Sequence, residues 1–361
     1  MVGDPKEYIE KYGGKAGAYF YLRDLGGFDQ HLLPLVYLNK DQSAEEIMRL
    51  FPATMPGQIV RGTHPNDYDG LVDILKTVPR NSSRQIDHAE LLQMIGAVRR
   101  NAATDEVRSY NEYEGNPYDG KIGIMIQPFV FGPKGSVVEH PHERGTYLID
   151  FVDTSYDDDR HDRIIAMGTE IKRHRYSFLT GDVPMFVRKI IELYQRVRET
   201  GFIDHDVSFQ MEFGRNIQFP EKDLVLFYQA RPFLPFAEPT FELEGMEEYS
   251  CFGITPPEGL VLPVIKSIGG SEVMDQTEPF AMFLNTTYKK LSPFVQPRNI
   301  SAFVPMGVGV ESLEHCTYRW VKKAQVSILS FLTQEGVVRE VNTGDQVKVI
   351  SNGLHFKIEK V

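Results

Sequence analysis

The stretch DVSFQMEFGRNIQFPEKDLVLFYQARPF, Asp206 to Phe233, constrains the fold of this chain more than any other. Its first half alternates apolar with polar residues, and a half-buried strand would turn Val207, Phe209, Met211 and Phe213 inward. A break follows at NIQFPEKD, and the chain returns through LVLFYQ. This pattern predicts an antiparallel hairpin with Glu212 and Gln229 on or near one surface.

Other segments are as legible. QIDHAELLQMIGAVRR (Gln85–Arg100) places Ile86, Leu91, Leu92, Ile95 and Val98 near helical spacing, with Asp87 as N-cap and Arg99 and Arg100 in the last turn. KIGIMIQPFVFG reads as a strand stopped by Gly and Pro. VPMFVRKIIELYQRVRETG reads as a helix with a stripe of Phe186, Ile190, Ile191, Leu193, Tyr194 and Val197, ended by Gly201. A Pro- and Glu-rich passage at residues 236–250 then changes the rhythm, and a connection between domains is expected there. Beyond it come short β-like runs, GLVLPVI, ISAFVPMG, QVSILSFL and DQVKVI, with one helix expected over Leu313–Lys323. The expected organisation is α+β: a domain over residues 1–235, a linker at 236–250 and a smaller β/α domain over 251–361.

Composition narrows the function. A chain of 361 residues with 42% hydrophobic and 25% charged residues suits two globular cores. The formal charge of −11 argues against a general nucleic-acid binder, which needs Lys and Arg to neutralise phosphates. Basic runs such as IKRHR read as solvated faces. Cys251 and Cys316 are too few for a disulfide framework, and no apolar run reaches the ~20 residues of a membrane span. No secretory leader is legible at the N-terminus, so a cytoplasmic location is expected.

With these elements in order, the motifs resemble the phosphoenolpyruvate synthase and pyruvate phosphate dikinase family. YGGKAGAYFYL resembles its Gly-Gly-Lys entry, QIVRGTHPNDYDG its Val-Arg-Ser-Ser segment, and IGIMIQPFV its Gln-bearing strand. QMEFGRNIQFPEKDLVLFYQARPF resembles the Asp-Ile-Glu-Phe hairpin ending in Gln-Ala-Arg-Pro. The resemblance implies an ATP-grasp-like nucleotide domain in which Lys15, Arg61 and Arg231 meet ATP phosphates, Gln127 lies near the adenine, and Glu212 and Gln229 hold Mg²⁺. The chemistry is coherent, because a carboxylate and an amide oxygen are hard ligands for Mg²⁺ and guanidinium forks match phosphate.

The same resemblance extends to the C-terminal third. MGVGVESLEHC matches the phosphohistidine segment of a swivelling domain at His315, and NTGDQVKVISNG matches the closing pattern at Gly344, Asp345 and Val347. A neutral imidazole is a competent nucleophile near pH 7, and a helix N-terminus stabilises a transferred anion. Glu314 stands where the family has serine, and Cys316 and Thr317 replace its small residues. Of the phosphate clamp after the Val-Arg-Ser-Ser segment, Gly70 is the one match.

The implied function is an ATP- and Mg²⁺-dependent, dikinase-like phosphotransferase. It phosphorylates its own His315 and passes the group to a small-molecule acceptor or a partner protein. The family's pathway runs through pyrophosphoryl-histidine and releases AMP and phosphate. The alternative is a degenerate, noncatalytic nucleotide-sensing or interaction subunit. A Cys316–His315 catalytic pair is disfavoured, because helix neighbours point about 100° apart. EHPHERG, with His140, His142 and Glu143, reads as an exposed turn rather than a metal site, and YDDDRHD as a solvated acidic loop.

Overall fold

The structure is a computed structural model and describes residues 2–65, 78–79, 85–105, 107–108, 111, 118–139, 144–153, 160–175, 181–232, 241–243, 248–252, 254–267, 277–284, 299–305, 328–330, 340–352 and 355–361. Two compact units divide the chain, Met1–Glu139 with Thr146–Phe233, and His140–Gly145 with Leu234–Val361.

The first unit opens with α1 (Pro5–Tyr12) and α2 (Gly14–Leu25). Asp4 caps α1 by accepting from the Lys6 N–H, and Pro5 occupies the first turn, where its missing donor costs nothing. Gly13 joins the helices at φ +83°, and a Cβ there would lie 2.3 Å from Thr63 Oγ1 and 2.6 Å from the His64 nitrogen. Only glycine fits so close to the end of the strand at Thr63, which accounts for Gly13, the first glycine of the pair before Lys15.

A four-stranded antiparallel sheet in the order β1-β6-β3-β4 is built from β1 (Val36–Leu38), β3 (Gln58–Thr63), β4 (Val78–Pro79) and β6 (Gly123–Pro128). Beside it, β2 (Thr54–Pro56) pairs with β5 (Gln85–Asp87). The helix α3 (Ala44–Leu50) starts with a Ser43/Glu46 capping box. As the sequence predicts, α4 (His88–Ala102) is capped by Asp87, which accepts from the Glu90 N–H at 2.8 Å. Val60, Ile124 and Ile126 bury one face of the sheet with Leu91, Met94, Ile95 and Val98 of α4. Alternation therefore turns Ile59, Arg61, Met125 and Gln127 to the opposite face.

The second sheet has six antiparallel strands, β7 (Lys134–Glu139), β8 (Thr146–Asp153), β9 (Arg160–Met167), β10 (Glu170–Arg175), β11 (Phe209–Arg215) and β12 (Val225–Pro232). Their order is β10-β9-β8-β7-β11-β12. The helix α5 (Val183–Glu199) lays Phe186, Ile190, Ile191, Tyr194 and Val197 against Val137, Ile149, Phe151, Phe209, Met211 and Phe213. Tyr194 ties this layer: its ring stacks on Phe209 at 4.2 Å, its hydroxyl donates to the Phe209 carbonyl and it accepts from the Glu139 N–H. Burial holds the Tyr194 phenol far above its ordinary range, so it stays a donor. Val207 does not join this face as expected; it precedes β11 and is 38% exposed.

His31 links the loop after α2 to both layers. Its Nδ1–H donates to the Val225 carbonyl at 2.9 Å and its Nε2 accepts from Arg196 at 3.1 Å, while Arg196 also donates to the Gly27 carbonyl. Burial, the largest cause, pushes the His31 pKa below its ordinary value, and protonation would set an imidazolium against a guanidinium. The folded pKa thus lies below the unfolded one. The contribution of His31 is complete above the unfolded value, about 6.5, and is lost as pH falls through the folded value. Urea unfolding of wild type and His31→Gln from pH 8 to pH 4.5 is expected to show a gap that narrows toward acid, and a constant gap would overturn this assignment.

The second unit forms a closed barrel from β13 (Glu248–Phe252), β14 (Leu260–Ser267), β15 (Phe280–Leu284), β16 (Ile300–Pro305), β17 (Ile328–Ser330), β18 (Gln346–Ser351) and β19 (His355–Lys360). The order round the barrel is β13-β17-β16-β15-β14-β18-β19, with β14 to β17 parallel and the other pairs antiparallel. Leu262, Val264, Ala281, Phe283, Ala302, Val304, Val347 and Val349 fill it. Each β-like run named above supplies one of these strands, and β13 begins inside the segment read as a connection. Gly344 takes φ +95° just before β18, where Asp345 accepts from the Asn342 N–H. His315, Glu314, Trp320, the Leu313–Lys323 helix and Gly70 lie outside the described residues.

Candidate nucleotide site

The hairpin expected from the sequence is present, and Glu212 is paired directly with Gln229 in its register. What brings the two side chains to one face is an irregularity. Val225 and Phe227 of β12 are core residues, and simple alternation would send Gln229 and Arg231 into the core after them. Between Phe213↔Phe227 and Glu212↔Gln229 the register shifts, leaving Tyr228 as an extra residue. This bulge reverses the parity of β12 and sets Gln229 and Arg231 beside Glu212 and Gln210. Tyr228 fits because Gly214 lies beneath it, where a Cβ would meet the phenol oxygen at 2.0 Å.

Four of the residues singled out in the sequence come into contact. Arg231 Nη2 lies 3.5 Å from Glu212 Oε1, and its Nε donates to Gln210 Oε1 at 3.0 Å. From the four-stranded sheet, Arg61 Nη2 donates to Gln229 Oε1 at 3.3 Å and lies 3.7 Å from Glu212 Oε2. Two guanidinium groups thus share one carboxylate at a place where Gln229 and Arg231 are only 1% and 4% exposed.

Lys15 and Gln127 lie on elements tied to β3, the strand that carries Arg61. Lys15 sits in the first turn of α2, buried, and that turn is fixed to the end of β3 by Gly14 N–H to the His64 carbonyl at 2.9 Å and Ala16 N–H to Thr63 Oγ1 at 3.4 Å. Arg61 is two residues before Thr63 on the same strand. Gln127 is buried opposite Ile59 in the β3–β6 register and so shares a sheet face with Arg61. A separate cavity of about 680 Å³ opens beyond Thr63, lined by residues that include Gly13, Tyr37, His64 and Tyr118. Its Lys40 is matched by Asp119 at 2.9 Å, and Lys121 is matched by Asp41 at 3.2 Å.

Three residues that sequence reading did not reach complete the surroundings. Gln210 is fully buried and its side-chain nitrogen has no partner. Ser136 lies directly across β7–β11 from Glu212, buried, with an unpartnered hydroxyl. The buried hydroxyl of Tyr228 is likewise unpartnered. Leaving such a group without a partner costs about 1–3 kcal/mol, so three around one carboxylate is a heavy local penalty. Alternation signals Gln210, two residues before Glu212, but nothing in the sequence pairs Ser136 with it.

Among the described residues no group of three His, Cys, Asp or Glu side chains could hold a metal by itself, and no helix is long and apolar enough to cross a membrane. No family model matches the chain, and no curated protein does. Among solved structures, it is similar to the D-alanine-D-alanine ligase from Coxiella burnetii, at 11% identity and a TM-score of 0.35 over 63% of this chain and 49% of that one. The corresponding enzyme from Helicobacter pylori shows 13% identity and a TM-score of 0.34, over 62% of this chain and 54% of that one. An L-amino acid ligase from Bacillus licheniformis shows 12% and 0.33, over 62% and 41%. The chain thus spans about half the length of these proteins, and identity and overlap at this level assign no family.

Proposed function

We propose that the first unit is an ATP-grasp-like nucleotide-binding domain that takes ATP with Mg²⁺ between its two sheets. The observation that carries this reading is the meeting of Arg61 from β3 with Glu212, Gln229 and Arg231 of the β11–β12 hairpin, which sets two guanidinium groups beside a carboxylate and an amide oxygen. The donor set fits the group it would hold. Glu212 and Gln229 offer adjacent hard oxygens, and the unpartnered donors beside them suit phosphate oxygens. Held there by Glu212 and Gln229, Mg²⁺ would supply charge neutralisation for the phosphates. Arg231 is oriented by its Nε bond to Gln210, and Arg61 approaches from the other sheet of this unit. Lys15 would add a cation from the first turn of α2, and the resemblance assigns Gln127 to the adenine side.

The resemblance carries the proposal one step further, to His315 as the phosphoryl acceptor. An imidazole nitrogen would attack phosphorus as the bond to the leaving phosphate oxygen breaks, and the two arginines would neutralise the charge that develops. A small molecule or a partner protein would then receive the group. Incubation with β- and γ-labelled ATP and Mg²⁺ tests this step. Acid-labile, base-stable label is expected on wild type and is expected to vanish in His315→Ala, with ATP affinity unchanged. ATP binding without such label in wild type would leave the noncatalytic nucleotide-sensing module as the better reading.

A further inference from the structure

Resting on the nucleotide reading above, we propose that Thr63 is a positioning residue: its hydroxyl locks the break between α1 and α2 onto β3 and so fixes where Lys15 stands relative to Arg61. The N-cap of α2 is Gly13, which has no side chain to accept from the first turn. Thr63 takes that part from β3. Its Oγ1 accepts from the Ala16 N–H at 3.4 Å and donates to the Tyr12 carbonyl at 3.1 Å. One buried hydroxyl thus serves an orphan acceptor at the end of α1 and an orphan donor at the start of α2. The next residue, His64, accepts the Gly14 N–H on its carbonyl at 2.9 Å. The two anchored amides, of Gly14 and Ala16, flank Lys15.

Helix stability alone does not call for this arrangement. A serine or aspartate at position 13 would cap α2 locally, which is the common device. Close approach forbids it here, since a Cβ at 13 would lie 2.3 Å from Thr63 Oγ1. The chain accepts the conformational cost of glycine and in return seats the turn directly on β3. What that contact sets is a spacing. Arg61 precedes Thr63 by two residues on the same sheet face, roughly 7 Å along the strand, and Lys15 is buried between the anchored amides. Such placement matters where one ligand is to be held by both cations, because a binding group must be fixed by its supporting contacts.

Calorimetry of the full chain with Mg²⁺-ATP tests this in Thr63→Val, which keeps the branched shape without the hydroxyl, and in Thr63→Ser, which keeps the hydroxyl. Thr63→Val is expected to bind about tenfold more weakly and Thr63→Ser as wild type does. Because Thr63 acts through Lys15, Thr63→Val is expected to bring little further loss on a Lys15→Ala background, whereas a role in the fold alone predicts the same loss on either. Acetylation of Lys15 by acetic anhydride, read by mass spectrometry, reports its placement without nucleotide and is expected to run about tenfold faster in Thr63→Val. Wild-type ATP affinity in Thr63→Val would overturn the proposal, as would an equal loss in Thr63→Ser or an undiminished loss on the Lys15→Ala background. Failure of Thr63→Val to fold would overturn it too, since the hydroxyl would then serve the fold. If wild type binds no ATP, the nucleotide reading fails and acetylation decides the rest: a faster rate in Thr63→Val keeps Thr63 as the residue that places Lys15, and an equal rate overturns that as well.

Discussion

Glu212→Ala is expected to lower the affinity for Mg²⁺-ATP about 100-fold while leaving the affinity for metal-free ATP unchanged or raised. The two outcomes separate because Glu212 plays opposite parts toward cation and anion. It is a carboxylate shared by Arg61 and Arg231, at 3.7 and 3.5 Å, and the charged member of the oxygen pair with Gln229. On the proposed nucleotide reading, its removal would take away the metal's anionic ligand and the carboxylate that the two guanidinium groups share. Arg231→Ala is expected to weaken both forms of ATP, because a fork held by Gln210 is lost whether or not metal is present. Calorimetry in excess Mg²⁺ and in excess chelator reads both variants. Equal losses for Glu212→Ala under the two conditions would remove Glu212 from the metal site.

The second large effect concerns stability and falls on Gly135→Ala. Gly135 stands in β7 between Phe213 of β11 and Phe151 of β8. With no side chain between them, the two rings meet edge to face at 5.5 Å and close with Phe186 of α5 into one aromatic cluster. A Cβ at 135 would lie 2.1 Å from the Asp150 carbonyl oxygen and 2.9 Å from the Phe213 ring. The nearer atom is backbone held in a ladder, so relief requires β7 and β8 to part. A loss of about 3 kcal/mol or more is expected, with failure to fold as the extreme. Chemical denaturation measures it, and a change below about 0.5 kcal/mol would show that the sheet yields freely.

Much of this architecture is written in local pattern. Asp87 ahead of an apolar stripe, and Phe186 to Val197 at helical spacing, foretell α4 and α5 because capping and amphipathicity act within a few residues. The pairing of Glu212 with Gln229 follows from the hairpin alone. The face of Gln229 and Arg231 does not, since Val225, Phe227 and Ala230 fit a regular strand nearly as well as a bulged one. Only contact with Gly214 shows where the extra residue goes. Val207 misled for the opposite reason: alternation continues past the point where the strand begins. Ser136 was invisible because its role depends on which strand lies beside β11, a long-range choice that neither segment records.

The barrel holds one more consequence. Its first strand, β13, is hydrogen-bonded to its last, β19, with Glu248 opposite Phe356 and Tyr249 opposite His355. Entry and exit of the polypeptide are thus neighbours, so one short bridge could splice them and new ends could be opened elsewhere. Circular permutation and grafting into a host loop become practical, because adjacent termini ask little of the recipient. The C-terminal module is, in topological terms, a cassette.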